Sequence, residues 1–161
     1  MKVLVLYYSL TGNTRKLAEA VAKGVREAGA EPVLRSTEEV TKEDFAEAAG
    51  IVAGSPVYFG TMAWQLKKVF DEFVTMRRQG RTENMVGAAF ASAGNDTGGK
   101  ETTIFSIINA LMIYGCIIVG DPLDATGHYG VGCVGSPDDV ALANASKLGK
   151  RAAELAMKIS R

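Results

Sequence analysis

The sequence predicts an α/β protein in which five parallel strands form one sheet with helices on both faces. Short apolar runs alternate with amphipathic stretches along the whole chain, and no internal repeat or charge block interrupts the alternation. Strands joined by helical crossovers must lie parallel, because each crossover is right-handed and packs back onto the sheet. The length of 161 residues and the 47% hydrophobic content suit one folded domain, residues 1–161.

The first half of the chain contains three predicted strands. Apolar residues recur at every third or fourth position over 13–28, which predicts a helix that ends at Gly29. Thr41 is placed to cap a short helical turn before the third strand. The three strands are rich in apolar and β-branched residues, as buried parallel strands are, and span residues 2–7, 31–35 and 50–54.

The second half repeats the same alternation. Its predicted helices cover residues 62–76 and 100–114, and Asp138 caps a last helix whose apolar residues recur at helical spacing. The fourth and fifth strands are predicted at 85–91 and 116–119. Since ligands of such sheets bind beyond the carboxyl ends of the strands, the loops after the first, third, fourth and fifth strands are the candidates for function.

Composition excludes several classes of function. The 18 Lys and Arg residues balance the 18 Asp and Glu residues, so no net field attracts nucleic acid or an anionic membrane. One histidine and two widely spaced cysteines provide no metal cluster and no disulfide scaffold. The first apolar run is too short for a signal peptide or a membrane span, and a cytoplasmic protein is therefore predicted.

The loop after the first strand is predicted to bind a phosphate group. It combines hydroxyls, a carboxamide and a helix start without any carboxylate, which are the features that hold a phosphate with neutral donors. The alternative is that Ser9 or Thr11 only caps the helix. The predicted phosphate-binding residues are Ser9, Thr11, Gly12, Asn13 and Thr14.

The loops after the third and fourth strands offer a surface for a planar ligand. In the loop after the third strand, Tyr58 and Phe59 could lie against a ring, or could cover the following helix as ordinary packing. The loop after the fourth strand is rich in glycine and small side chains, which allows close approach of a ring. The long loop after the fifth strand carries His128, either as a ring contact or proton donor or as an inert surface residue.

Two glycine-rich segments imitate nucleotide-binding motifs. Gly94–Lys100 has the spacing of a triphosphate-binding loop, but Glu101 follows where a hydroxyl is needed to coordinate Mg²⁺. Gly130–Gly135 matches the pattern G-x-G-x-x-G, but no later strand could complete a dinucleotide-binding unit, so a flexible loop is predicted there.

The motifs together resemble those of a known family. Ser-Leu-Thr-Gly-Asn-Thr (9–14) resembles the phosphate loop of flavodoxin-like FMN proteins. Gly-Ser-Pro-Val-Tyr-Phe-Gly-Thr-Met (54–62) and Gly-Gly-Lys-Glu-Thr-Thr (98–103) resemble the WrbA-type NAD(P)H:quinone oxidoreductases within that family. The resemblance covers nearly the whole chain and implies a flavodoxin-like three-layer sandwich with strand order 2-1-3-4-5 and non-covalently bound FMN.

The resemblance also implies roles for the loops. The segment 9–14 would hold the FMN phosphate, and His128 would stand at the ring face where substrate approaches. The flavin ring would lie along Pro56, Val57, Tyr58, Phe59 and Gly60, while Ser92, Ala93, Gly94, Asn95 and Gly98 would line its pyrimidine side and the ribityl chain.

Two functions are consistent with these roles. The chain is neutral, whereas flavodoxins are strongly acidic, and it lacks the aromatic residue that many of them carry in the fourth loop. These differences favour an enzyme that takes a hydride from NAD(P)H and reduces a quinone, in a homodimer or homotetramer. The alternative is a flavodoxin that carries single electrons between protein partners. No nucleic acid and no membrane is expected as a partner.

Overall fold

The computed structural model describes residues 1–160 and contains seven strands and six helices. The strands are β1 (Lys2–Tyr7), β2 (Glu31–Ser36), β3 (Ala48–Tyr58), β4 (Thr61–Met62), β5 (Val86–Ala93), β6 (Ile117–Ile118) and β7 (Val131–Val134). The helices are α1 (Asn13–Glu27), α2 (Lys42–Glu47), α3 (Trp64–Glu72), α4 (Val74–Arg78), α5 (Lys100–Ile113) and α6 (Asp139–Ile159).

The strands form one sheet in the order β2-β1-β3-β5-β6, and all of these neighbours are parallel. In the numbering of the five predicted strands this order is 2-1-3-4-5, so the predicted α/β fold and strand order are confirmed. Two short strands lie off this path: β4 pairs antiparallel with the end of β3, and β7 pairs parallel with the end of β5.

The core has two layers, one on each face of the sheet. Alternate residues of β1 point to opposite faces, as the pleat requires, so that Val3 and Val5 belong to one layer and Leu4 and Leu6 to the other. Helices α1 and α6 cover the first layer, and helices α2 to α5 cover the second. This arrangement leaves the loops at the carboxyl ends of the strands free to form a site.

Local sequence signals explain the helix ends. Thr41 and Asp44 form a reciprocal capping box at the start of α2, where each side chain bonds to the backbone N–H of the other residue. The Asp138 carboxylate accepts the N–H of Ala141 at the start of α6, as predicted. Gly29 follows the end of α1 with a φ of 88°, a left-handed conformation that glycine adopts without strain.

Three elements differ from the prediction. Strand β3 continues to Tyr58 rather than ending at Gly54, because its last two residues pair with β4 in a tight hairpin. The helix predicted over 62–76 is two helices, α3 and α4, which meet at Phe73. Phe73 has a φ of −92° and a ψ of 12°, outside the regular helical range, and this breaks the helix.

The fifth strand, predicted over 116–119, is shortened to the two residues of β6. A further strand that was not predicted, β7, also pairs with β5, and residues 119–130, called the insertion from here on, separate β6 from β7. The flexible loop predicted at Gly130–Gly135 is therefore wrong, since Val131–Val134 form a strand. Gly132 fits this strand because the methylene groups of Lys100 occupy the space where a side chain would start.

Candidate FMN site

The carboxyl ends of β1, β3, β5 and β7 lie side by side at one edge of the sheet. The register aligns Tyr7 with Gly54, Pro56 with Ser92, and Ser92 with Cys133. Three of the four predicted loops therefore meet at this carboxyl edge: residues 9–14, the hairpin between β3 and β4, and residues 92–99.

The first loop presents backbone donors at the start of α1. The N–H of Gly12 donates to the Ser9 hydroxyl at 3.1 Å, and Gly12 takes the left-handed φ of 92° that the turn requires. No side chain caps the helix, so the alternative of a simple capping role for Ser9 or Thr11 is wrong. The N–H groups of the first helical turn are thus available to a ligand, and the helix dipole favours an anion there.

Thr14 has a different environment from the rest of this loop. Its side chain is buried, with 1% of the residue exposed, and its hydroxyl lies 2.8 Å from the Ser92 hydroxyl. Two residues predicted separately for the cofactor are therefore bonded to each other. This bond fixes the first loop against the end of β5.

The hairpin after β3 is held from inside by Ser55. Its buried hydroxyl donates to the carbonyl of Pro56 at 2.7 Å and accepts the N–H of Ala63 at 2.8 Å. Phe59 lies at the tip with a φ of 50° and a fully exposed side chain. It therefore does not cover the following helix, which was the alternative for this residue.

Tyr58 packs against Tyr8, the residue that directly follows β1. Their ring centroids lie 6.4 Å apart with the planes at 73°, an edge-to-face contact. Burial raises the pKa of the Tyr58 hydroxyl, and the neighbouring Tyr8 raises it further, so Tyr58 is neutral at physiological pH. Sequence reasoning missed Tyr8 and Ser55, although Tyr8 directly precedes the predicted site residue Ser9 and Ser55 directly precedes Pro56.

The loop 92–99 touches the hairpin through backbone atoms. A Cβ on Gly99 would lie 3.0 Å from the Cα of Gly60 and 3.6 Å from Val57, so only glycine allows this approach. The N–H of Gly98 donates to the carbonyl of Asn95 at 3.1 Å and closes a turn. Space is open above Gly94, where no atom lies within 4 Å of a built Cβ.

The three loops carry little charge. Residues 9–14 and 54–60 contain no ionisable acid or base other than Tyr58, and the single carboxylate within 92–99 is the exposed Asp96, 3.8 Å from the Lys100 ammonium. A cavity of about 360 Å³ separates the first loop from the turn after β2, and Glu38 and Glu39 line its far side. Bonds from Ser36 lower the pKa of Glu39, so that carboxylate is ionised.

His128 does not join the other predicted residues. It is exposed on the insertion, which leaves the sheet beside the start of β5, at Gly87, and returns where Val131 pairs with Phe90, two residues before Ser92. Its neighbour Tyr129 packs on Phe105 of α5 with ring centroids 4.8 Å apart. The structure therefore places His128 at the flank of the sheet rather than at its carboxyl edge.

The arrangement of the carboxyl edge fits FMN. Uncapped helix N–H groups suit a phosphate, and the open space above Gly12 and Gly94 admits a ligand close to the backbone. Residues 1–160 hold no group of three or more His, Cys, Asp or Glu side chains that could bind a metal ion. Over the same residues, no helix combines the length and apolar content needed to cross a membrane.

Comparison with known proteins decides the family. The sequence profile described as "Flavodoxin" matches residues 5–109. The chain belongs to the flavodoxin family. It is an FMN-dependent oxidoreductase, and the predicted family and cofactor are confirmed.

The relatives of the chain do not share one name. The chain is 36% identical to the "NAD(P)H dehydrogenase (quinone)" of Archaeoglobus fulgidus, in an alignment of 188 positions that covers 98% of each protein. It is 39% identical over 160 residues to the "Flavodoxin" of Aquifex aeolicus, covering 95% of this chain and 85% of that protein. The flavodoxin, WrbA-like protein of Agrobacterium tumefaciens shares the fold, with a TM-score of 0.84, 22% identity and 98% of each chain covered.

Proposed function

We propose that this flavodoxin-family protein catalyses two-electron reduction of a quinone by NAD(P)H. The observation that carries the proposal is the similarity to proteins named NAD(P)H dehydrogenase (quinone) at 32–36% identity, over 98% of their length. The nearly uncharged carboxyl edge supports it. An apolar or neutral surround opposes the negative charge of a reduced flavin less than an acidic surround does, which makes transfer of an electron pair more accessible.

Each of the three loops has a proposed part in holding FMN. The phosphate is held by Ser9, Thr11 and Asn13, together with the N–H groups at the start of α1. Gly12 forms the turn of the loop. Thr14 supports the loop through the hydrogen bond between its hydroxyl and the hydroxyl of Ser92. The ring is held between the hairpin residues Pro56, Val57, Tyr58, Phe59 and Gly60 on one side and Ala93, Gly94, Asn95 and Gly98 on the other.

When bound, FMN supplies the ability to accept a hydride from a nicotinamide and to return two electrons to an acceptor. The chain's own contribution is to position and shield it. Ser55 holds the hairpin in shape, and the contact of Gly99 with Gly60 closes the gap between the two ring-binding loops. We also propose that the quinone approaches from the flank of the sheet and that the imidazole of His128 holds a proton close to it.

Rapid mixing of the FMN-loaded protein with NADH and with NADPH tests the proposal. We expect the visible absorbance of the flavin to bleach quickly with at least one of them and to recover when a quinone is added. His128→Ala should slow the recovery and leave FMN bound, because the side chain is exposed and belongs to the insertion rather than to the three loops. Bleaching that fails with both nucleotides would refute an NAD(P)H-dependent enzyme.

The second candidate function is that of an electron carrier between proteins. The relative named flavodoxin favours it, and so does the fully exposed Phe59 at the tip of the hairpin, since an apolar side chain at the edge of a flavin site can contact a partner. A carrier would not react directly with NADH or NADPH. It would instead accept electrons from a reductase, and stepwise reductive titration would show two separate one-electron stages.

A further inference from the structure

The insertion is a compact loop with a closed neck. Its two ends meet where Gly120 contacts the carbonyl oxygen of His128, so closely that a Cβ at Gly120 would overlap that oxygen. Loops whose ends meet and whose side chains fill the interior can move as one unit. The insertion is therefore closed at its neck.

Side chains from one face of α6 hold the outer side of the insertion. Asn144 donates to the Thr126 hydroxyl at 2.7 Å, Lys147 donates to the carbonyl of Asp124 at 2.6 Å, and Arg151 donates to the carbonyl of Asp121. These three residues recur at helical spacing and so reach the insertion from the same side. The bonds that they make go to the backbone and to a hydroxyl, and none of them goes to the carboxylate of Asp121.

The carboxyl group of Asp121 lies inside the closed insertion without a partner. The residue is 7% exposed, and neither carboxyl oxygen has a hydrogen-bond partner. The group is packed against Gly127, where a Cβ would overlap one of its oxygens. A cavity of about 250 Å³ beside it is lined by Lys100, His128 and Tyr129 among others. The Lys100 ammonium is the nearest cation on α5, and it lies near Asp96.

A buried carboxyl group in this position is far more stable when neutral. An ionised carboxylate without donors costs several kcal/mol in a protein interior, whereas a neutral acid costs much less. Burial raises the pKa of Asp121 above its ordinary value, and this effect exceeds the opposite effects of His128 and Arg151. The closed insertion therefore binds a proton that an open, hydrated insertion would release.

We propose that the insertion is a proton-dependent latch, closed while the carboxyl group of Asp121 is neutral and opened when that group ionises in water. Opening moves His128 and Tyr129 away from Phe105 and widens the flank of the sheet. Because the closed state has the higher pKa, it is favoured at low pH and loses stability as the pH rises through that pKa. The latch does not depend on the proposed quinone reaction.

Other ionisable groups near the insertion do not explain such a transition. Asp124 is exposed and ion-paired, and its pKa is lowered by Lys147, so its charge is constant above acidic pH. His128 is exposed on the insertion itself, and its protonation would stabilise an ionised Asp121. The charged or titratable groups that face Asp121 are His128 and Tyr129 on the insertion, Lys147 and Arg151 on α6, and Lys100 and Glu101 on α5.

Hydrogen exchange of the FMN-loaded protein across a pH series tests the latch. We expect the protection of residues 119–130, corrected for intrinsic exchange rates, to fall by up to about tenfold per pH unit between the ordinary carboxyl pKa of the open insertion and the raised pKa of the closed one, and to level off above the raised pKa. Asp121→Asn removes the ionisation and should give protection that does not depend on pH. Asp124→Asn is the matched control, since it removes a carboxylate from the same insertion and should behave like the unmodified protein.

Two results would overturn the latch. One is protection of the insertion that stays constant with pH in the unmodified protein; the other is the same pH-dependent fall in Asp121→Asn. If the asparagine variant does not fold, Asp121→Leu provides a neutral side chain without unpaired donors. Carbon-13 NMR of the Asp121 carboxyl group gives an independent measurement, because a titration midpoint that is ordinary, or lowered as an ion pair with Arg151 would make it, also contradicts the proposal.

Discussion

The carboxyl edge of the sheet and the insertion at its flank are both built from irregular chain, yet they are held in different ways. At the edge, a buried bond joins Thr14 and Ser92, which are 78 positions apart in sequence, and a second buried bond, between Ser55 and Ala63, holds the hairpin. The insertion is fixed by side chains of α6 that donate to its backbone and by the packing of Tyr129 on Phe105 of α5. The edge therefore shares the stability of the whole core, whereas the insertion can open by itself.

The first prediction concerns a substitution of Gly54. It should have the largest effect on stability, because Gly54 is enclosed at the carboxyl edge of the sheet. A Cβ at this position would overlap the ring of Phe90, and both residues are fully enclosed in the sheet. We expect Gly54→Ala to destabilise the apoprotein by about 3 kcal/mol, the upper part of the range for overpacked cores. Urea denaturation of the apoprotein measures this.

Gly94→Ala is the matched control for Gly54→Ala. Open space surrounds Gly94, so an added methyl group should leave the stability of the apoprotein unchanged and weaken FMN binding by occupying space that the cofactor needs. Equal destabilisation by both alanine variants would show that the edge is not packed as the structure describes.

The second prediction separates two threonines of the first loop. Thr14→Val leaves the buried Ser92 hydroxyl without its partner and should cost ~1–3 kcal/mol of apoprotein stability. Thr11 is exposed, so Thr11→Val should leave stability unchanged and weaken FMN binding by ~1.5–3 kcal/mol, the value of a hydrogen bond to a charged group. Denaturation and flavin fluorescence titration are the two measurements. An unchanged FMN affinity in Thr11→Val would contradict the proposed phosphate contact.

The edge was largely predictable from sequence because its signals are local. An apolar strand followed by hydroxyls, a glycine and a helix start points to a phosphate loop wherever it stands. The bond between Thr14 and Ser92 was not predictable, because it joins residues 78 positions apart and depends on the strand register. The same limit applies to Tyr8, whose contact with Tyr58 requires β1 and β3 to be neighbours.

The flank was poorly predicted for a physical reason. Strand β6 has only two residues, and β7 contains two valines and a glycine, so neither carries a periodic pattern. What makes Val131–Val134 a strand is pairing with β5, a long-range contact. The position of His128 depends on where the insertion leaves and rejoins the sheet, which composition and spacing do not specify.

The third prediction has the smallest effect and concerns the insertion alone. Lys147 donates to the carbonyl of Asp124 and lies 3.0 Å from its carboxylate, with 37% of its side chain exposed, so solvent screening reduces the value of the pair. We expect Lys147→Met to increase hydrogen exchange of residues 119–130 about two- to fivefold, which corresponds to ~0.4–1 kcal/mol.

The urea midpoint and the FMN affinity should not change in Lys147→Met, because the edge has no contact with this lysine. Lys158→Met is the control, since it removes the same charge from the last turn of α6 and leaves the bond and the ion pair between Lys147 and Asp124 in place. A lower urea midpoint in Lys147→Met would mean that the insertion unfolds only together with the core. In that case the flank and the carboxyl edge would form one cooperative unit, and the difference between them would be one of geometry alone.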